Sequence, residues 1–250
     1  MNNTKAIFIK QFTSLLKVPS MIIQGLMFLL IAAAFIFFVG EDEPVDCSSC
    51  IPAYMCSTCQ EAEDARFELP IPSGVGIFTI IFIGLALVAS SSALVYEDKN
   101  TTNLRFMAMA DVRPYQYLLG TLAAAIIVVA VMLIFYALLG GYLGGDMLRF
   151  MAIGTFGGLV SILLGVVIGL SKMPILATPL SIILGLGPTF GNMNETLANA
   201  LRFTFIQQVN IAMADIDADL SSSFLIIGAN GFVFLLIFIF MHRRNRFNFN

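Results

Sequence analysis

The residues with the most distinctive chemistry are four cysteines, Cys47-Ser-Ser-Cys50 and Cys56-Ser-Thr-Cys59, which are all the cysteines of the chain. Two CxxC pairs can close disulfides or hold a tetrahedral zinc ion through thiolates. Only residues 51–55 separate the pairs, against the roughly 15–20 of a zinc ribbon, which favours disulfides over zinc. Spacing does not choose among the three pairings. Either way the cysteines brace a small cap rather than perform redox catalysis. A second polar cluster follows at Glu97, Asp98, Lys99, Arg105, Asp111 and Arg113. Asp215, Asp217 and Asp219 alternate too closely to share a helix face and read as a solvated turn. His242, the single histidine, sits before Arg243 and Arg244 and reads as a headgroup anchor, not a base. The sequence holds no GxxxxGK[ST] phosphate loop, no GxSxG and no HExxH. The chain therefore carries no ATPase site of its own.

The elements that must position these residues are set by composition. Hydrophobic residues make up 58% of the 250 and charged residues 12%, about half the charge of a soluble domain. Apolar runs of bilayer length give six spans, roughly Met21–Val39, Gly74–Val95, Leu118–Leu139, Phe150–Leu170, Ile175–Phe190 and Phe224–Met241. The fifth is short and carries Pro179 and Pro188, which bend or stop it. As drawn, the spans contain essentially no ionisable group, so no proton relay is visible.

Lysine and arginine orient the chain. With the N-terminus inside, Lys5, Lys10, Lys17, Lys99, Arg105, Arg113, Lys172, Arg243, Arg244 and Arg246 face the cytoplasm, and only Arg66, Arg149 and Arg202 face out. Of the sixteen acidic residues only Glu97, Asp98 and Asp111 fall inside. The expected setting is a plasma membrane crossed six times, with both termini cytoplasmic. The net charge of −3 argues against nucleic acid as a partner.

Around the spans, residues 4–19 read as an interfacial helix, with Ile7, Phe8, Phe12, Leu15 and Leu16 on one face and Lys10 and Lys17 turned toward lipid phosphates. Pro19 ends it. Residues 40–72 form an acidic outer loop holding the cysteines. Residues 97–115 read as a short amphipathic cytoplasmic helix, with Asn100 or Thr101 as cap, Leu104, Met107 and Ala108 as apolar side and Pro114 as limit. Residues 191–223 are too apolar for a free loop. Yet Asn194, Glu195, Arg202, Gln207, Gln208 and Asn210 exclude a further span in lipid, so one or two helices that partly re-enter from outside are expected. Small residues at 89–92 and the glycines of the fourth span predict close helix packing.

This order of features resembles the permease subunit of type-2 ABC exporters. The residues that carry the resemblance are Glu97, Leu104–Ala110, Arg113-Pro114 and Leu118-Leu119-Gly120, corresponding to a charged residue after the second span, a coupling helix, a proline turn and the entry to the third span. The resemblance covers the whole chain in layout. It implies an all-α integral membrane protein that pairs with a second permease chain, a homodimer being the simplest case. Two cytoplasmic ATPase subunits would carry ATP and Mg. Glu97, Leu104, Arg105, Met107, Asp111 and Arg113 would grip the ATPase, with the export path at the interface between permease chains, using the second and fifth spans. The cysteine loop and the short turn between the fourth and fifth spans depart from that pattern. Spans rich in Phe, Met and small residues suit a bulky amphipathic or apolar cargo, such as a toxin-like peptide or a drug. The competing reading is a membrane immunity or sensor protein, or a stand-alone channel.

Overall fold

The structure is a computed structural model that describes residues 2–17, 20–39, 71–100, 113–171, 173–191, 195–214 and 220–247. Among these residues all regular structure is helical. We number the helices α1 (Asn2–Lys17), α2 (Ser20–Val39), α3 (Ile71–Ile81), α4 (Leu87–Asn100), α5 (Pro114–Leu139), α6 (Gly144–Leu170), α7 (Ala177–Gly191), α8 (Glu195–Leu201), α9 (Phe205–Ala214) and α10 (Ser221–Phe247). A π-helical turn, Phe82–Ala86, joins α3 to α4 as one continuous rod.

Four helices are long and apolar enough to cross a membrane: Gly74–Asn100, Tyr115–Leu139, Gly144–Leu170 and Ser221–His242. Met21–Phe37 and Ala177–Phe190 are apolar but shorter. The fifth apolar run is shortened at its start, where Pro174–Leu176 forms a 3₁₀ turn; Pro188 then lies within α7. The second span also runs further than its hydropathy predicts. Instead of ending at Val95, the helix continues through Glu97, Asp98 and Lys99 to Asn100, because neighbouring helices supply partners for the polar residues of its last turn.

Helix α6 sits at the centre: 72% of its apolar stretch is buried, against 17% for Ser221–His242 at the periphery. Glycine explains how it can be so enclosed. A Cβ at Gly165 would strike the Ser91 hydroxyl and lie 2.6 Å from the Val88 carbonyl; at Gly169 it would lie 2.6 Å from the Ser92 carbonyl. Close packing was expected at the serine run and at the glycines separately; the structure makes them each other's partners, α4 against α6, where side-chain-free backbone gains contact without steric conflict. The π-turn meets α7 in the same way: a Cβ on Gly84 would stand 2.8 Å from the backbone of Gly185. Helix α2 joins the bundle where the Tyr136 hydroxyl donates to the Gly25 carbonyl (3.2 Å) and Ser90 donates to the Gln24 amide oxygen (3.3 Å).

Candidate functional site

At one end of the bundle three helices converge on a carboxylate. Helix α1 is amphipathic, with Ile7 and Gln11 buried. It crosses α5 at Gly120, where a Cβ would come within 2.6 Å of Ile7 Cγ2 and 3.2 Å of the Phe8 backbone nitrogen. This close approach brings the next turn of α1 over the last turn of α4. There Lys10 Nζ donates to Asp98 Oδ1 (2.6 Å), while Gln11 Nε2 (2.7 Å) and the Tyr117 hydroxyl (3.1 Å) donate to Oδ2. Asp98 is 6% exposed. A carboxylate that buried is tolerable only when paired and hydrogen-bonded, and here three donors from two other helices meet it.

The neighbouring side chains extend the joint. Lys99 Nζ donates to the carbonyls of Leu170 (3.2 Å) and Ser171 (2.9 Å), capping the negative end of α6 with a cation. Pro114 occupies the first turn of α5 and the Arg113 N–H donates to Gln116 Oε1 (3.0 Å), as in half of a capping box. Residues 101–112 are thus flanked by two anchors, Asp98–Lys99 before and Arg113–Tyr117 after. The Tyr117–Asp98 bond ties those anchors to each other, and Lys10 and Gln11 tie both to α1.

Of the residues predicted to grip a partner, Glu97 is exposed in the last turn of α4 and Arg113 is exposed at the start of α5. Leu104, Arg105, Met107 and Asp111 lie outside the described residues, as do Cys47, Cys50, Cys56, Cys59 and the run Asp215, Asp217 and Asp219. Among the described residues no group of three His, Cys, Asp or Glu side chains could hold a metal ion. Lys10 differs from expectation. It reaches Asp98 rather than lipid phosphate, because the buried carboxylate is the stronger and closer partner. Sequence reasoning missed the set Lys10, Gln11, Asp98 and Tyr117. The available signal was spacing: Asp98 continues the buried stripe of Ser91 and Val95 at helical intervals.

A second polar cluster occupies the far part of the molecule. Helices α8 and α9 follow one another across the turn 202–204, α8 packing on α7 and α9 on α3, α6 and α10, so that two helices occupy the stretch where one or two were expected. Gln207, Gln208 and Asn210 are buried between α9 and its neighbours. Gln208 Nε2 donates to the Arg202 carbonyl (2.6 Å) and Ser223 donates to Gln208 Oε1 (3.0 Å). At the turn between α8 and α9, Asn230 Nδ2 donates to the Phe203 carbonyl (3.0 Å). Gln207 Oε1 is buried with no hydrogen-bond partner among the described residues. Of the polar residues that excluded a lipid-facing span, Gln207, Gln208 and Asn210 are enclosed by protein, whereas Arg202 is exposed.

No protein-family model matches the chain, and no curated protein matches it. What the fold and the site define is a helical protein with four helices able to cross a membrane. A charged joint holds its N-terminal helix to both ends of one inter-span connection.

Proposed function

We propose that the chain is the permease subunit of an ATP-driven exporter of the type-2 ABC class, crossing the plasma membrane six times with both termini in the cytoplasm. The observation that carries this reading is the joint at Asp98. A stand-alone channel or immunity protein has no need to fix a 12-residue connection (101–112) at both ends and bind it to an amphipathic N-terminal helix. A subunit that must receive force from a soluble partner does. Such force would enter through residues 101–112, with Glu97 and Arg113 at its exposed flanks, and pass through Asp98 into α4 and through Tyr117 into α5. The partner would be a pair of cytoplasmic ATPases carrying ATP and Mg. A second permease chain would complete the path, with the π-turn of the second span and Gly185 of the fifth as the backbone contact beside it. Helices α8 and α9 would re-enter from the outer face, and the cysteine loop would brace the outside by disulfides.

The test is purification of the tagged chain from its native membrane in mild detergent, with mass spectrometry of what accompanies it. Recovery of a soluble ATPase near stoichiometry, lost on charge reversal at Arg105 or Asp111, is the expected result. Recovery of the chain alone, even after crosslinking, overturns the exporter reading in favour of a channel or immunity protein.

A further inference from the structure

The turn between α8 and α9 places a charge where a membrane protein can least tolerate one. Its depth follows from α10. Asn230, whose amide holds the Phe203 carbonyl, is the ninth residue after Ser221, about 14 Å along a helix rising about 1.5 Å per residue. The candidate span continues from there to His242. With a hydrocarbon core about 30 Å thick, the turn therefore lies in the central part of the membrane. Phe205, two residues beyond Phe203, meets Phe234 edge-on at 6.2 Å, about 20 Å along the same helix from Ser221, so the chain stays deep after the turn.

Arg202 sits in this turn. Its backbone is fully used, the carbonyl by Gln208 and the N–H by the Asn199 carbonyl. Its side chain is exposed, and among the described residues no hydrogen bond or ion pair reaches the guanidinium. Phe203 beside it is 73% exposed. An arginine in the middle of a span faces water, a counter-charge or both. Among the described residues of the four long helices, carboxylates occur only near the ends, at Glu97, Asp98 and Asp146, away from this depth. Exposed at this depth, the guanidinium is complementary to an anion that enters beside it.

We propose that Arg202 is the recognition group for the anionic head, phosphate or carboxylate, of an amphiphilic cargo. Phe203 and the exposed Val233, one turn beyond Asn230 on α10, receive the start of its apolar tail. The guanidinium suits this role because its planar fork pairs bidentately with either anion and is weakly hydrated. The inference rests on the chain spanning a membrane as a translocation subunit, and narrows its cargo from amphipathic compounds in general to anionic ones.

The chain contains no tryptophan, so Phe203→Trp introduces a single fluorescent reporter beside the guanidinium. The full-length variant in phosphatidylcholine nanodiscs is titrated with dodecyl phosphate, with zwitterionic dodecylphosphocholine, and with inorganic phosphate. The expected result is a saturable emission change with dodecyl phosphate alone. Arg202→Gln in the same background should weaken the apparent affinity at least tenfold, and Arg202→Lys by less. An equal response to dodecylphosphocholine, no response to dodecyl phosphate, or an unchanged midpoint in Arg202→Gln overturns the proposal. A matching response to inorganic phosphate also overturns it, by assigning a soluble anion instead. The thermal midpoints of the arginine variants, measured alongside, separate loss of binding from loss of fold. The titration needs no ATPase, so its failure and failure to recover an ATPase partner are separate outcomes.

Discussion

The two polar clusters solve the same problem in opposite ways. At Asp98 a full charge is buried and met by a cation and two neutral donors drawn from two other helices. In the segment of α8 and α9 the buried groups are amides and hydroxyls, one of them, Gln207 Oε1, has no hydrogen-bond partner among the described residues, and the cation Arg202 is left exposed. Removing one member of a buried ion pair strands the other, so such a joint resists partial opening and its helices move together. A neutral network loses one modest bond at a time. The first suits a rigid linkage and the second a surface that must adapt. The contrast puts rigidity where helices are tied to one another, and leftover polarity in the segment where we propose that cargo is met.

The strongest way to break the contrast is Asp98→Ala. It leaves Lys10, Gln11 and Tyr117 without their common acceptor. Breaking a buried pair costs about 3–5 kcal/mol, and the lower end applies because the Lys10 side chain is 37% exposed and can be rehydrated. About 3 kcal/mol corresponds to roughly 6–12 °C in the thermal midpoint of a protein of this size. Asp98→Asn keeps an acceptor for Gln11 or Tyr117 and should lose about half as much. The midpoint of the purified chain in detergent checks both. Equal midpoints for Asp98→Ala and the parent would show that the three helices are not held through this carboxylate.

The difference between the clusters also shows what sequence could and could not convey. The long apolar helices are written in local composition, and small residues mark α4 and α6 as able to pack closely; that Ser91 and Ser92 meet Gly165 and Gly169 is seen only in the fold. The burial of α9 was half legible: Gln207, Gln208 and Asn210 cannot face lipid, which excludes one environment without naming another. Of the joint only the place of Asp98 on the stripe of Ser91 and Val95 was legible; its partners were not. Asp98 follows a span and reads as the start of a solvated loop, and its pairing with Lys10 crosses 88 positions of chain. Only the crossing of α1 over Gly120 brings them together, and nothing local to either residue encodes that crossing.

A second, smaller effect sharpens the contrast by perturbing only the segment of α8 and α9. Gly157 faces α9 so closely that an added Cβ would sit 2.5 Å from Val209 Cγ2, on a stiff β-branched side chain. Gly157→Leu should destabilise by about 2 kcal/mol through overpacking. Gly157 lies thirteen residues along α6 from Leu170, the carbonyl that Lys99 caps, or about 20 Å at 1.5 Å per residue. At that distance the effects of Gly157→Leu and Asp98→Ala should add to within about 0.5 kcal/mol. A double variant markedly more stable than the sum would show the two regions to be coupled through α6.

The smallest expected effect tests the neutral network itself. Ser223→Ala removes the hydroxyl that donates to Gln208 Oε1 and leaves the rest of the segment in place. Hydrogen bonds between helices within membranes contribute about 0.6 kcal/mol on average, because the partly unfolded chain also finds partners there. The stranded Gln208 oxygen raises the cost, so a loss of about 1 kcal/mol is expected, roughly a third of that for Asp98→Ala. Because the penalty comes from the stranded acceptor and not from the missing bond, Ser223→Ala combined with Gln208→Leu should be less damaging than the sum of the two single changes. Thermal midpoints of the four proteins give the coupling directly. A loss at Ser223→Ala as large as that at Asp98→Ala would mean that the segment is held as tightly as the joint, and the division between a rigid and an adaptable region would fall.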